Sequence, residues 1–165
     1  ALYLFEPTVI AADPPLGRDP GNWLAAGARR RRETFGSREE AYENYAAKPP
    51  FSAVDPAALR AYVEHGFVDL PTGEVRLKCR GEHEALVNEM ATAHGAYARL
   101  GEVACPVVLA HGEGTEAFGP ALVAAQAERL PDAAVEVVPG VGHLGPLEDP
   151  PAVAASIRRF LASLA

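Results

Sequence analysis

The last third of the chain constrains its fold most tightly. "CPVVLAHGEG" (residues 105–114) is a proline, a five-residue apolar run and a glycine-rich turn, and "PALVAAQAERL" (120–130) follows with helical spacing. "AAVEVVPG" (133–140) is a second short strand, and "PPAVAASIRRFLASL" (150–164) a closing amphipathic helix. Strand, turn and helix repeated at this interval mark parallel βα units. Short runs that are apolar on both faces suit strands covered by helices on either side.

The rest of the chain reads differently. Residues 1–5 ("ALYLF") form an apolar run suited to a buried strand, ended by Glu6-Pro7 because proline cannot donate to a ladder. "ADPPLGR" (12–18) is a turn-rich exit. A helix is expected over Asn22–Phe35, and a second from Arg38, opened by a Ser37/Glu40 capping box and closed by "KPP". Asp55 as N-cap with Pro56 behind it opens a third, which carries Leu59, Tyr62 and Val63 on one face and stops at Gly66. "FVDLPTGEVRLKC" predicts a hairpin across Pro71–Gly73, and Glu82–Tyr97 another helix with Leu86, Val87 and Met90 inward. The expected organisation is therefore a core strand (1–12), a helical insertion (13–102), and a return to the same sheet (103–165). The chain opens without a methionine inside a core strand, so we expect it to be the later part of a larger fold.

Composition excludes several classes. A net charge of −7 argues against a nucleic-acid partner, and the one basic string, Arg29–Arg32, reads as a solvated helix face beside Glu33, Glu39 and Glu40. No apolar run approaches the roughly 18–20 residues of a membrane span. Cys79 and Cys105 form neither a disulfide framework nor a CxxC pair, which fits a reducing, cytoplasmic setting. The five histidines have no ligand-like spacing, so neither metal nor cofactor is expected. His65, His83 and His94 read as surface residues of the insertion and His111 as loop support. Trp23, Phe35, Tyr42 and Tyr45 read as the insertion's own core, with one or two of them free to line a pocket.

In open parallel sheets chemistry gathers beyond the carboxyl ends of the strands. Three such ends occur here: Glu6 after the first strand, His111–Glu116 after the second, and Gly142-His143 after the third. A histidine steered by an acid has the makings of a general base, and glycines on both sides leave room beside the ring.

These segments together resemble the carboxyl-terminal half of an α/β-hydrolase. "PGVGHLGPLEDP" resembles that family's histidine loop, "PVVLAHGEGTEAFGP" its penultimate strand with the acid loop, and "LYLFEP" the strand after which a lid is inserted, with residues 13–102 as the lid. The resemblance implies an α/β fold, the carboxyl-terminal part of a parallel sheet carrying a helical lid. It also implies a nucleophile–acid–histidine triad, in that chain order. His143 falls on the histidine. Glu116 stands where the family usually has aspartate and is the first choice of acid, although it could instead be a charge at a helix N-terminus. Glu6 is the alternative acid, placed as in haloalkane dehalogenases. No G-x-S-x-G is present, and Ser37, Ser52, Ser156 and Ser163 lie in lid or helix contexts. The nucleophile and oxyanion amides are expected from a missing amino-terminal half of the core, on the same or a separate chain. The implied activity is hydrolysis of a small or medium apolar ester-like substrate. An aspartate nucleophile acting on an epoxide or haloalkane is one alternative; a non-catalytic binding module is another. Alone, the chain is expected to be inactive and, with a bare sheet edge, not to be a stable monomer.

Overall fold

The computed structural model describes residues 1–13 and 15–164; Pro14, within the turn-rich exit after the first strand, lies outside the described residues. In chain order the elements are β1 (Leu2–Phe5), α1 (Trp23–Arg30), β2 (Thr34–Phe35), α2 (Arg38–Ala46), α3 (Pro56–Gly66), β3 (Phe67–Asp69) and β4 (Val75–Leu77). They continue with α4 (Gly81–Glu89), β5 (Val107–Gly112), α5 (Pro120–Ala127), β6 (Ala133–Val138), α6 (Gly145–Glu148) and α7 (Pro150–Ala162). Two compact units emerge: Ala1–Gly17 with Ala91–Ala165, and Arg18–Met90. The expected insertion bounds were residues 13 and 102. The segment after Met90 belongs with the sheet because Tyr97 docks there, its hydroxyl donating to the Ala125 carbonyl at 3.1 Å under the Arg129 guanidinium.

The first unit is the parallel sheet that the sequence pattern implies, in the order β1-β5-β6. Leu2 pairs with Val107 and Phe5 with Ala110, while Val107 pairs with Ala133 and Gly112 with Val138. Alternation then sorts the side chains. Tyr3, Phe5, Val108, Ala110 and Val138 pack against Val153, Ile157 and Phe160 of α7. Leu4, Val107, Leu109 and Ala133 pack on the other face with Val123 of α5 and Leu130. Each fully buried Val or Leu contributes about 1.5–3 kcal/mol. Ser156 is buried in α7, where its hydroxyl meets that of Tyr3 at 2.5 Å.

The second unit combines four helices with a small antiparallel sheet, β2-β4-β3. The hairpin expected across Pro71–Gly73 is its β3–β4 pair. The third strand was not expected. The helix predicted to run to Phe35 stops at Arg30; Arg31 turns extended (ψ 135), and Thr34-Phe35 pairs with Arg76 and Val75. That places Phe35 in an aromatic core with Phe67 (ring centroids 5.8 Å) and Tyr45 (6.1 Å), and Tyr45 in turn meets Phe51 and Tyr62. The caps read from sequence, Ser37 and Asp55, accept backbone N–H bonds through their side chains, and Asn22, expected as the first residue of its helix, caps that helix in the same way.

Two packing expectations need correction. Helix α4 ends at Glu89 and buries Gly81, Ala85 and Glu89, whereas Leu86, Val87 and Met90 are exposed (38, 71 and 46%). Trp23, expected in this unit's core, is 76% exposed. The reason is close helix pairing: Ala85 meets Ala25 and Ala28, and a Cβ on Gly81 would collide with the Ala28 carbonyl oxygen. Only small residues at this i, i+4 spacing permit that approach. Glu89 tolerates burial because Arg18 and Arg29 each reach it at 2.6 Å. Two more of the string are likewise paired, Arg31 with Glu84 (2.6 Å) and Arg32 with Glu40 (2.7 Å).

Candidate active site

All three strand ends singled out in the sequence lie in the first unit, and two of their side chains meet. Glu6 follows β1 with a positive φ of 44°, an uncommon conformation for a side-chain-bearing residue, and its amide donates to Ala110 O at 2.8 Å. This turn carries the side chain across the end of β5, where its Oε1 accepts the Gly112 amide at 3.0 Å. Oε2 accepts the Thr115 hydroxyl at 3.0 Å and faces His143 Nδ1 at 2.5 Å. Glu6 is 5% exposed. Three donors converge on it, so the carboxylate serves wholly as an acceptor.

The loop that presents His143 is built from glycines and one downstream acid. A Cβ on Gly112 would lie 2.5 Å from Val141 O and closer still to the Gly142 carbonyl oxygen. A Cβ on Gly145 would lie 2.5 Å from Cζ of Phe5. The glycines therefore let the histidine loop settle directly on the tips of β5 and β1. Glu148 holds the loop from below, accepting the Gly142 amide at 2.5 Å and the Leu144 amide at 3.1 Å. Glu113 ties the neighbouring turn by accepting the Gly140 amide at 3.0 Å.

The imidazole is thus held at one edge and one face. Nδ1 points to Glu6, and Phe118, itself buried, stacks on the ring with centroids 5.4 Å apart and planes inclined 18°. The Nδ1–H tautomer leaves the Nε2 lone pair free. Among the described residues Nε2 has no hydrogen-bond partner, and the side chain is 47% exposed. Such a ring can accept a proton at Nε2 while the carboxylate behind it stabilises the resulting positive charge.

The other candidates lie elsewhere. Glu116 was the first choice of acid, yet its side chain is exposed and, among the described residues, bonds to neither His143 nor any other group. The turn after β5 directs Thr115 and Phe118 inward and leaves Glu116 on the outside. His111 is buried at the end of β5 with Nδ1 3.0 Å from Gly112 O, and His65, His83 and His94 are exposed. Ser37 caps α2, Ser52 lies in a short turn, Ser163 ends α7, and none of them is bonded to His143. Thr115, Phe118 and Glu148 were not anticipated as site residues. The "EDP" that follows the histidine was the available signal for Glu148; nothing local marks the other two. Among the described residues no group of three or more His, Cys, Asp and Glu side chains could hold a metal, and no helix is long and apolar enough to cross a membrane.

Comparison with known proteins agrees with this architecture. Residues 3–156 match the model of the alpha/beta hydrolase family. No curated protein matches the chain. Among solved structures, the peroxisomal alpha-beta-hydrolase Lpx1 of Saccharomyces cerevisiae superposes with a TM-score of 0.81 at 21% identity, over 99% of this chain and 46% of that one. An E-2-(acetamidomethylene)succinate hydrolase gives 0.70 at 19% identity over 97% and 57%. An esterase of Mycobacterium tuberculosis gives 0.62 at 18% over 87% and 49%. The chain therefore spans about half the length of these relatives. At such identities the superpositions speak for the fold, while the sequence match runs through nearly every core element described above. On that match, this chain belongs to the alpha/beta hydrolase family.

Proposed function

We propose that this chain supplies the acid and the base of a hydrolase triad, with Glu6 as the acid and His143 as the base. The nucleophile, in this reading, comes from outside these 165 residues. The observation that carries it is the bond from His143 Nδ1 to the buried Glu6 carboxylate at 2.5 Å, with Nε2 left free. His143 Nε2 takes the proton of a nucleophilic hydroxyl as that oxygen attacks a carbonyl carbon. The imidazolium so formed faces Glu6, and it returns the proton to the departing alkoxide when the carbon–oxygen bond breaks. A water then gives a proton to Nε2 and attacks the acyl carbon; the bond to the nucleophile's oxygen breaks, that oxygen takes the proton back from Nε2, and the acid departs.

The substrate class we assign is a small or medium ester-like molecule with an apolar body, in line with the esterase and hydrolase names of the structural neighbours. The position of the acid also favours a second reading. A glutamate after β1 is the arrangement that resembles haloalkane dehalogenases, which act through an aspartate nucleophile. A panel of 4-nitrophenyl esters run beside an epoxide and a haloalkane separates the two. In the protein that carries this chain, His143→Gln should abolish turnover of whichever class is active. Unchanged turnover in that variant would remove His143 from the chemistry.

A further inference from the structure

We infer that Thr115 is a positioning residue for the Glu6–His143 pair, an inference that rests on the reading above. Glutamate has one more rotatable bond than aspartate, so its carboxylate needs more restraint to keep one orientation. Gly112 N holds Oε1, and Oε2, the oxygen that serves His143, receives the Thr115 hydroxyl at 3.0 Å. That hydroxyl is itself aimed. Its oxygen accepts the amides of Ala117 and Phe118, each at 3.3 Å, which leaves its single proton for the carboxylate. Phe118, whose amide fixes the threonine, lays its ring on the imidazole. Glu6, His143, Phe118 and Thr115 therefore close a circuit in which the turn at 115–118 sets both the edge contact and the face contact of the base. None of this depends on Glu116, the only carboxylate in the same turn.

The inference concerns alignment, so its signature is in the His143 Nδ1 proton and in kcat. In the protein that carries this chain, the Nδ1–H of His143 should appear as a far-downfield proton resonance, and Glu6→Gln should remove it. Thr115→Val, which keeps the shape of the side chain and deletes the hydroxyl, should broaden or shift that resonance. It should also lower kcat on a 4-nitrophenyl ester about tenfold with KM nearly unchanged, less than the roughly hundredfold cost of a 1 Å misplacement. Thr115→Ser should return both to within about twofold of the parent. If Glu6→Gln leaves the resonance in place, the Glu6–His143 reading itself fails. If Glu6→Gln removes it while Thr115→Val leaves it unmoved, that reading stands and the role given to Thr115 is overturned. Loss of the resonance in Thr115→Ser likewise overturns a role for the hydroxyl.

Discussion

Gly112→Ala tests how tightly the histidine loop is seated, and the structure gives the size of the effect. The added Cβ would stand 2.5 Å from Val141 O, where ordinary contact begins near 3.4 Å. The two must therefore separate by about 0.9 Å, and the obstacle is backbone on both sides. Neither can yield alone, because Gly114 N donates to Val141 O at 2.9 Å and Glu148 holds the Gly142 amide. Overpacking of this kind costs about 1–3 kcal/mol, or roughly 2–4 °C of melting temperature per kcal/mol for a domain of this size. The displacement also draws His143 away from Glu6, and a shift near 1 Å costs on the order of a hundredfold in turnover. The control lies two residues on, where a Cβ at Gly114 has nothing closer than Val141 O at 3.5 Å. Gly114→Ala should melt within about 0.5 kcal/mol of the parent, as surface changes usually do. Scanning calorimetry and ester kinetics on the two variants and the parent decide the matter. Equal melting temperatures and equal kcat for Gly112→Ala and the parent would refute the packing argument.

Two further outcomes are expected. Glu116→Gln should leave kcat within about twofold of the parent, whereas Glu6→Gln should lower it by about 10³–10⁴-fold, as loss of an imidazole-orienting acid does; ester hydrolysis by the two variants measures this, and the reverse ranking would return the acid's role to Glu116. Glu89 is held below its ordinary 4.5 chiefly by its hydrogen bond from Arg29, then by Arg18, and Glu33 below 4.5 chiefly by the Gly81 amide. Because the folded values lie below the unfolded ones, the associated stability is complete above pH 4.5 and is lost as pH falls through the folded values. Melting temperature should therefore drop as pH is lowered below 4.5, with a shallower slope in Glu89→Gln; identical slopes would show that Glu89 does not contribute.

Much of this architecture was legible because it is local. Runs such as Val107–Ala110, apolar on both faces, announce a covered parallel strand. Ser37 and Asp55 announce helix starts because a cap is a contact between residues two or three apart. The choice of buried face on α4 was not legible. Leu86, Val87 and Met90 outrank Gly81 and Ala85 in hydrophobicity, but the approach of α1 rewards small residues, and that approach is a property of the pair of helices. The aromatic core of the second unit likewise took Phe35 out of a helix and into a strand, because pairing with β4 and burial outweighed a continued helical spacing.

From the sequence alone came a histidine at a strand end, two glutamates at two other strand ends, and the parallel order that brings those ends together. Which glutamate reaches the ring was decided by tertiary structure. Glu6 and His143 are 137 residues apart in the chain and meet only because β5 lies between β1 and β6. The positive φ at Glu6 turns its side chain over the tip of β5, while the turn after β5 spends its inward positions on Thr115 and Phe118. Side-chain direction at a loop follows from backbone angles that the surrounding contacts impose, and residue type by itself does not carry that information.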